Sequence, residues 1–180
     1  MIKNNTPLII LDNFFQNLED LLSYFKKIPL FSQNEFNKKF KRNDTWPGFR
    51  SAELQFSETP LTILLNKIIV EKQIPLPERY RFKYGLHLRL ASDEKKDFIH
   101  TDDSYGCFKT CIIYLSKTNF NSGTKLYLNG EDESSLFADI KFIQNTACIF
   151  NASIPHKSGL NFGSSIEDGR LTLNLFFYEA

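Results

Sequence analysis

The chain reads as a mainly β fold with N-terminal helices, a jelly roll, and three observations predict it. Hydrophobic residues follow a helical period only before residue 77 and a period of two from residue 78 onward. Short apolar runs in the second half are separated by polar turn clusters at even spacing, the pattern of a sandwich or barrel. The 180 residues include 18 Phe and seven Tyr, an aromatic content that suits sheets more than helical bundles. At this length one domain over 1–180 is expected, with 1–77 as helical support and 78–180 as the β core.

Each element has its own signal. "PLIILDNFF" (7–15) reads as a short strand turning at Asp12-Asn13 into a helix over roughly 15–27. Leu18, Leu21, Leu22 and Phe25 supply its apolar stripe. Residues 31–57 read as irregular, with the single Trp in "NDTWPGFRS". A second helix begins at Thr59-Pro60, an N-cap followed by a proline at the first helical position. Leu61, Leu64, Leu65, Ile68 and Ile69 form its face, and "IPLP" ends it.

From residue 78 the alternation puts Tyr80, Phe82, Tyr84, Leu86, Leu88 and Leu90 on one side. Arg79, Arg81, Lys83, His87 and Arg89 fall on the other. Further strands are expected over 98–102, 107–116, 124–128, 139–143, 146–151 and 170–178. "DEKKD", "NFNSGT", "NGEDESS" and "NFGSSIEDG" read as the turns between them, and the helices should cover the outer face of the sheet.

Composition narrows the function. Lys and Arg number 22 against 21 Asp and Glu, a net charge of +1 with scattered lysines, which argues against a nucleic-acid partner. No run approaches the ~18 apolar residues of a membrane span. "MIKNNTPLIILDNFF" has no long apolar segment of the signal-peptide kind, so a cytoplasmic protein is expected. Cys107, Cys111 and Cys148 include no CxxC pair and read as reduced thiols in core strands.

Chemistry concentrates in "DFIHTDDSYG" (97–106). His100 and Asp102 stand two apart, so in an extended chain their side chains share one face. Asp103 then points away into solvent. The remaining downstream histidine, His156 in "NASIPHKSG", follows the apolar run "TACIF". Two His and one carboxylate with open positions left over is a ligand set for non-heme Fe(II). Alone it is a weak signal, since the same residues also serve as a surface pair and a hydrogen-bonded core histidine. A fourth element adds to it. Arg170 opens "RLTLNLFFY" and shares a face with Thr172 and Asn174. A guanidinium facing inward is costly unless an anion meets it, and its fork matches a carboxylate.

Together these residues resemble the 2-oxoglutarate- and Fe(II)-dependent dioxygenases, and within them the prolyl hydroxylase-like group. "HTDDSYGCFKTCIIYLS" looks like that group's metal strand running into the next, "NSGT" like its Gly-Gly turn, and "FADIKF" and "IFNASIPHKS" like the approach to the second metal histidine. The resemblance covers roughly 80–180 and implies a double-stranded β-helix. His100, Asp102 and His156 would hold Fe(II); Arg170, Tyr114 and Thr172 would bind 2-oxoglutarate; molecular oxygen would be consumed. The implied activity hydroxylates a C–H bond of a small-molecule or peptidyl substrate. The stretch between His156 and Arg170 is longer than the group's, with "GSSIEDG" as an insertion. The tyrosine expected on the preceding strand has Tyr84 and Arg89 as candidates. Asp102 fills the position that a halogenase leaves empty.

Two other readings stand beside this one. A cupin-like metalloprotein, an isomerase or a dioxygenase without 2-oxoglutarate, would share the fold and metal but have no use for Arg170 and Tyr114. A binding module would need no complete ligand set. His87 and Arg89 either look into the pocket or face solvent. Trp46, Pro47 and Arg50 form either a lid or a loop packed on the core.

Overall fold

A computed structural model describes residues 8–43, 45–55, 59–93, 97–130 and 132–180. The beginning of the first expected strand at Pro7, the centre of the "DEKKD" turn and Glu131 lie outside them.

The described chain is mostly β, with three α-helices and two antiparallel sheets. The elements run β1 (Leu8–Leu11), α1 (Leu18–Phe25), β2 (Leu30–Ser32), α2 (Gln33–Phe40), β3 (Phe49–Ser51), β4 (Leu54–Gln55), α3 (Pro60–Glu71) and β5 (Tyr80–Arg89). They continue with β6 (Cys107–Tyr114), β7 (Asn119–Tyr127), β8 (Leu136–Phe142), β9 (Ala147–Asn151), β10 (His156–Ser158) and β11 (Arg170–Glu179). The large sheet has the order β1-β9-β6-β11-β5-β3-β2, with β4 also on β5; the small sheet is β10-β7-β8.

The alternation along β5 and β11 sets the two faces of the large sheet. Phe82, Tyr84, Leu86 and Leu88 join Leu171, Leu173, Leu175 and Phe177 in a core that takes in Leu18 and Phe25 of α1 and Leu61, Leu65, Ile68 and Ile69 of α3. α1 and α3 therefore cover the outer face, as their apolar stripes require. Thr59 caps α3, its hydroxyl accepting from the Thr62 N–H at 3.1 Å, and Pro60 occupies the first turn.

Between the two sheets, Ile112, Tyr114, Leu126, Ile140, Phe142, Cys148 and Phe150 form a second core. Beside it the inner face of β11, β5 and β3 carries polar side chains. Cross-strand pairing sets Arg50 opposite His87, His87 opposite Thr172 and Thr172 opposite Tyr114. It also sets Arg89 directly opposite Arg170.

Several expectations are corrected. Residues 31–57 are not irregular: they contain α2 and short strands, three of which extend the large sheet, so the first 77 residues do more than support it. The capping box between Ser32 and Glu35, each side chain bonded to the other's backbone N–H, starts α2. "NFNSGT" is not a turn but the first part of β7, where the register with β8 shifts between Asn119 and Thr124. Residues 98–102 form no strand; His100 makes an isolated bridge with His156. His156–Ser158 is a strand that the sequence reading left out. The three cysteines are free and buried, as expected of core strand residues.

Candidate active site

Backbone pairing brings the two histidines together. His100 and His156 exchange N–H···O=C bonds of 3.0 and 2.8 Å, and the Asp102 N–H donates to the Ala152 carbonyl at 2.8 Å. These bonds dock the irregular segment 97–103 onto the start of β10. The ligating atoms of His100, Asp102 and His156 then lie within 4.8 Å of one another. His156 Nε2 is 3.3 Å from Asp102 Oδ2, and His100 Nε2 is 3.9 Å from Oδ1.

Each ring is oriented by a bond to its own neighbourhood. His100 Nδ1 lies 2.9 Å from the Phe98 carbonyl and His156 Nδ1 3.0 Å from that of Ile154. A carbonyl only accepts, so both Nδ1 atoms carry hydrogen and each Nε2 faces Asp102; without a metal the His156 Nε2 takes up a proton and donates it to the carboxylate, and a metal would use the Nε2 lone pairs instead. The Thr110 hydroxyl donates to Asp102 Oδ2 at 2.9 Å. Burial and the neighbouring His156 push the His100 pKa down. Burial opposes charge on Asp102 and His156 as well, but their mutual hydrogen bond outweighs it, lowering the carboxyl and raising the imidazole. The donor set is two imidazoles and one carboxylate on one side, which suits a borderline divalent ion with positions left open for other ligands.

The three residues open onto a cavity of about 570 Å³ whose far wall is the polar face of the large sheet. That volume is in the range of small-molecule sites. Arg170 is 5 % exposed, its pKa lowered by burial. Its Nε donates to the Ser122 carbonyl at 2.7 Å and its Nη2 to that of Gly123 at 3.2 Å, while Phe142 lies against the guanidinium at 5.4 Å. Among the described residues no carboxylate pairs with it. Arg89, opposite it, is held by Asp93 at 3.7 Å and Asp97 at 3.6 Å. Asp97 also accepts from the Ser158 N–H at 2.7 Å.

Gly123 makes this wall possible. A Cβ there would sit 1.6 Å from the Ile140 carbonyl oxygen, so only glycine lets β7 run this close to β8.

The other expected residues fall into place unevenly. The Tyr114 hydroxyl donates to Thr124 Oγ1 at 2.8 Å, behind the cavity wall, and burial raises its pKa well above the ordinary value. Thr124, not Tyr114, lines the cavity, with Cys148 as a further neighbour of its hydroxyl. Thr172 lines the cavity too, but its hydroxyl donates to Asn174 Oδ1 at 2.8 Å. His87 and Arg89 face the cavity, as do Trp46, Pro47 and Arg50. Trp46 lines the cavity and packs edge-on against Phe36 at 5.2 Å. Tyr84 lies on the helix side, its hydroxyl among Thr59 and Thr62. Asp103 is exposed. Asp97 and Thr124 were missed; an aspartate three residues before His100 and a polar residue in an apolar strand were the available signals.

No protein-family model matches the chain, and no curated protein matches it in sequence. Solved structures do match in shape. A prolyl-4-hydroxylase from Pseudomonas putida superposes with a TM-score of 0.59 at 13% identity, over 97% of this chain and 93% of that one. HygX from Streptomyces hygroscopicus, solved with nickel, 2-oxoglutarate and hygromycin B bound, gives 0.63 at 8% identity, over 97% and 83%. A prolyl hydroxylase from Trichoplax adhaerens, in complex with a hypoxia inducible factor peptide fragment, gives 0.57 at 13%, over 98% and 85%. The chain thus has the fold of prolyl hydroxylases and other 2-oxoglutarate- and Fe(II)-dependent oxygenases.

Proposed function

We propose that the chain is one domain, a double-stranded β-helix that acts as a 2-oxoglutarate- and Fe(II)-dependent dioxygenase and hydroxylates a C–H bond. One observation carries this: a two-His, one-carboxylate cluster and a buried, anion-free Arg170 line the same cavity. His100, Asp102 and His156 would hold the iron, their Nε2 and carboxylate donors already turned to one point. When bound, iron and 2-oxoglutarate supply the oxygen chemistry, 2-oxoglutarate and O₂ giving succinate, CO₂ and an oxidant for the substrate.

The chain's residues bind and orient. Arg170, fixed by the Ser122 and Gly123 carbonyls, keeps three further N–H donors for the distal carboxylate of 2-oxoglutarate. Thr124 offers its hydroxyl proton to the same carboxylate, with Tyr114 holding Thr124 from behind. Thr172 acts through Asn174 instead of through the ligand. The like-charged pair Arg89–Arg170 would otherwise be unfavourable. Asp93 and Asp97 answer one member, and the co-substrate answers the other. The substrate is a small molecule or peptide entering past the exposed Phe98. Free buried thiols suit a reducing compartment, the cytoplasm. Among the described residues no helix is long and apolar enough to cross a membrane.

The test is an anaerobic titration of the purified protein with Fe(II) and then 2-oxoglutarate, following the visible charge-transfer band of the chelate. His100→Ala, Asp102→Ala and His156→Ala should each abolish the band. Admitting oxygen should then yield succinate slowly even without the true substrate. Stoichiometric iron with no band and background succinate would move the assignment to a cupin-like metalloprotein.

A further inference from the structure

Arg50 is a second cation in the cavity that the co-substrate does not explain. It sits on β3, opposite His87 of β5, and so two strands from Arg170 on β11. At about 4.8 Å per strand spacing their backbones stand roughly 10 Å apart, and Arg89 is the cation that acts on each of them. The first carboxylate acting on Arg50 is the cluster's own Asp102, followed by Asp97 and Glu53, yet none of these forms an ion pair with it. Among the other cations around the cavity, Arg170 is assigned to the co-substrate and Arg42 lies over the Phe36 ring at 5.9 Å. Asp93 and Asp97 meet Arg89, and Glu133 meets Lys157.

Arg50 is also held in position. Its guanidinium lies over the Trp46 ring at 5.0 Å, and Trp46 is itself buried against Phe36. Stacking fixes the plane of the fork while leaving its edges free to donate. Burial pushes its pKa down to about 10, so it remains charged at neutral pH.

His87 adds a neutral donor beside it. The Asn174 amide nitrogen lies 3.2 Å from His87 Nδ1. An amide nitrogen only donates, so Nδ1 accepts and the ring proton sits on Nε2. Thr172 fixes the amide by donating to Asn174 Oδ1. The chain Thr172–Asn174–His87 thus presents an Nε2–H next to the Arg50 fork.

We infer that the primary substrate carries a carboxylate, received by the Arg50 fork with the His87 Nε2–H alongside, which places its reacting C–H bonds toward the His100–Asp102–His156 cluster. This rests on the co-substrate reading of Arg170. A planar, edge-on fork beside a single N–H donor matches a planar two-oxygen anion better than a tetrahedral phosphate.

Trp46 is the chain's single tryptophan and reports on the stack directly. Zinc-loaded protein, saturated with 2-oxoglutarate, is titrated with propionate, with its neutral isostere propionamide, and with methyl phosphate at constant ionic strength, following Trp46 emission. Propionate should give a saturable change that propionamide does not. Arg50→Gln should weaken propionate by about ten- to hundredfold, the worth of a charge-assisted bond, with Arg50→Lys in between. The 2-oxoglutarate affinity of Arg50→Gln should stay within about twofold of wild type, since the sites are separate. An equal response to propionamide, unchanged propionate binding in Arg50→Gln, or tighter binding of methyl phosphate would overturn the inference. Loss of 2-oxoglutarate binding in Arg50→Gln, with retention in Arg170→Ala, would instead overturn the co-substrate reading itself.

Discussion

Removing the Arg170 side chain separates metal binding from co-substrate binding. The guanidinium is 5 % exposed and spends Nε and one Nη2 hydrogen on the Ser122 and Gly123 carbonyls. In Arg170→Ala the distal carboxylate of 2-oxoglutarate would enter the same buried pocket with no cation. Leaving one member of a buried charge pair without its partner costs about 3–5 kcal/mol. That is roughly two to three and a half powers of ten in affinity. Two carbonyls also lose donors, and relief of the repulsion from Arg89 offsets part of this, so the apoprotein should lose about 1–2 kcal/mol of stability. Arg170→Lys keeps a charge but cannot hold both carbonyls and fork the carboxylate, so it should recover only part of the affinity. Iron binding should persist in both, because Arg170 does not reach the cluster. The assay is 2-oxoglutarate titration of the iron-loaded proteins under nitrogen, with denaturant unfolding as the stability control. Unchanged 2-oxoglutarate affinity in a folded Arg170→Ala protein would refute the argument.

Three further predictions follow from neighbouring geometry. Tyr114→Phe removes the bond that holds Thr124 and a weak contact with Cys148 Sγ, so 2-oxoglutarate affinity should fall by about 1 kcal/mol, far less than in Arg170→Ala; the same titration checks it. Gly123→Ala forces β7 away from Ile140 and should cost at least the ~1–3 kcal/mol of an overpacked core, seen as a lower denaturant midpoint, while also weakening 2-oxoglutarate through the displaced Arg170 anchors. His87 is pushed well below the ordinary imidazole value of 6.5 by burial and by Arg50, Arg170 and Arg89. The unfolded chain therefore takes up its proton first as pH falls. Stability conferred by the neutral ring is full above 6.5 and declines below it, by at most about 1.4 kcal/mol per pH unit. Urea unfolding across pH 4–7 should show a shallower acid-side slope in His87→Gln than in the wild type.

The parts of this molecule that were legible in sequence are those where burial imposes a long period. β5 and β11 alternate over ten residues each because one face meets helices and the other a polar cavity. That alternation alone placed His87, Arg89, Arg170, Thr172 and Asn174 on their faces. α2 was hidden because Phe36 and Phe40 stand among polar residues, although Ser32 and Glu35 already formed a capping signature. The start of β7 reads as a turn because the register shift between Asn119 and Thr124 frees it from apolar alternation. The site was only partly legible. Spacing could pair His100 with Asp102, but which hydroxyl reaches the cavity depends on whether Tyr114 or Thr124 stands in front. Arg50 was noticed as part of a loop; its role as a stacked, unpaired cation requires the register of β3 on β5.

For a metal held by His100 and His156, the reciprocal backbone bonds between them would make its loss and the local opening of the chain a single event. The segment from 97 to 103 cannot swing away without breaking both bonds and carrying one imidazole off from the other. A metal that binds only the closed form would slow solvent exchange of these two amides, and of the Asp102 amide bonded to Ala152, by the full factor of its occupancy. At a hundredfold excess over the dissociation constant that is about 2.7 kcal/mol, or roughly a hundredfold in exchange rate. The amide protons of His100 and His156 would therefore serve as a built-in gauge of metal affinity for spectroscopically silent ions as well as for iron.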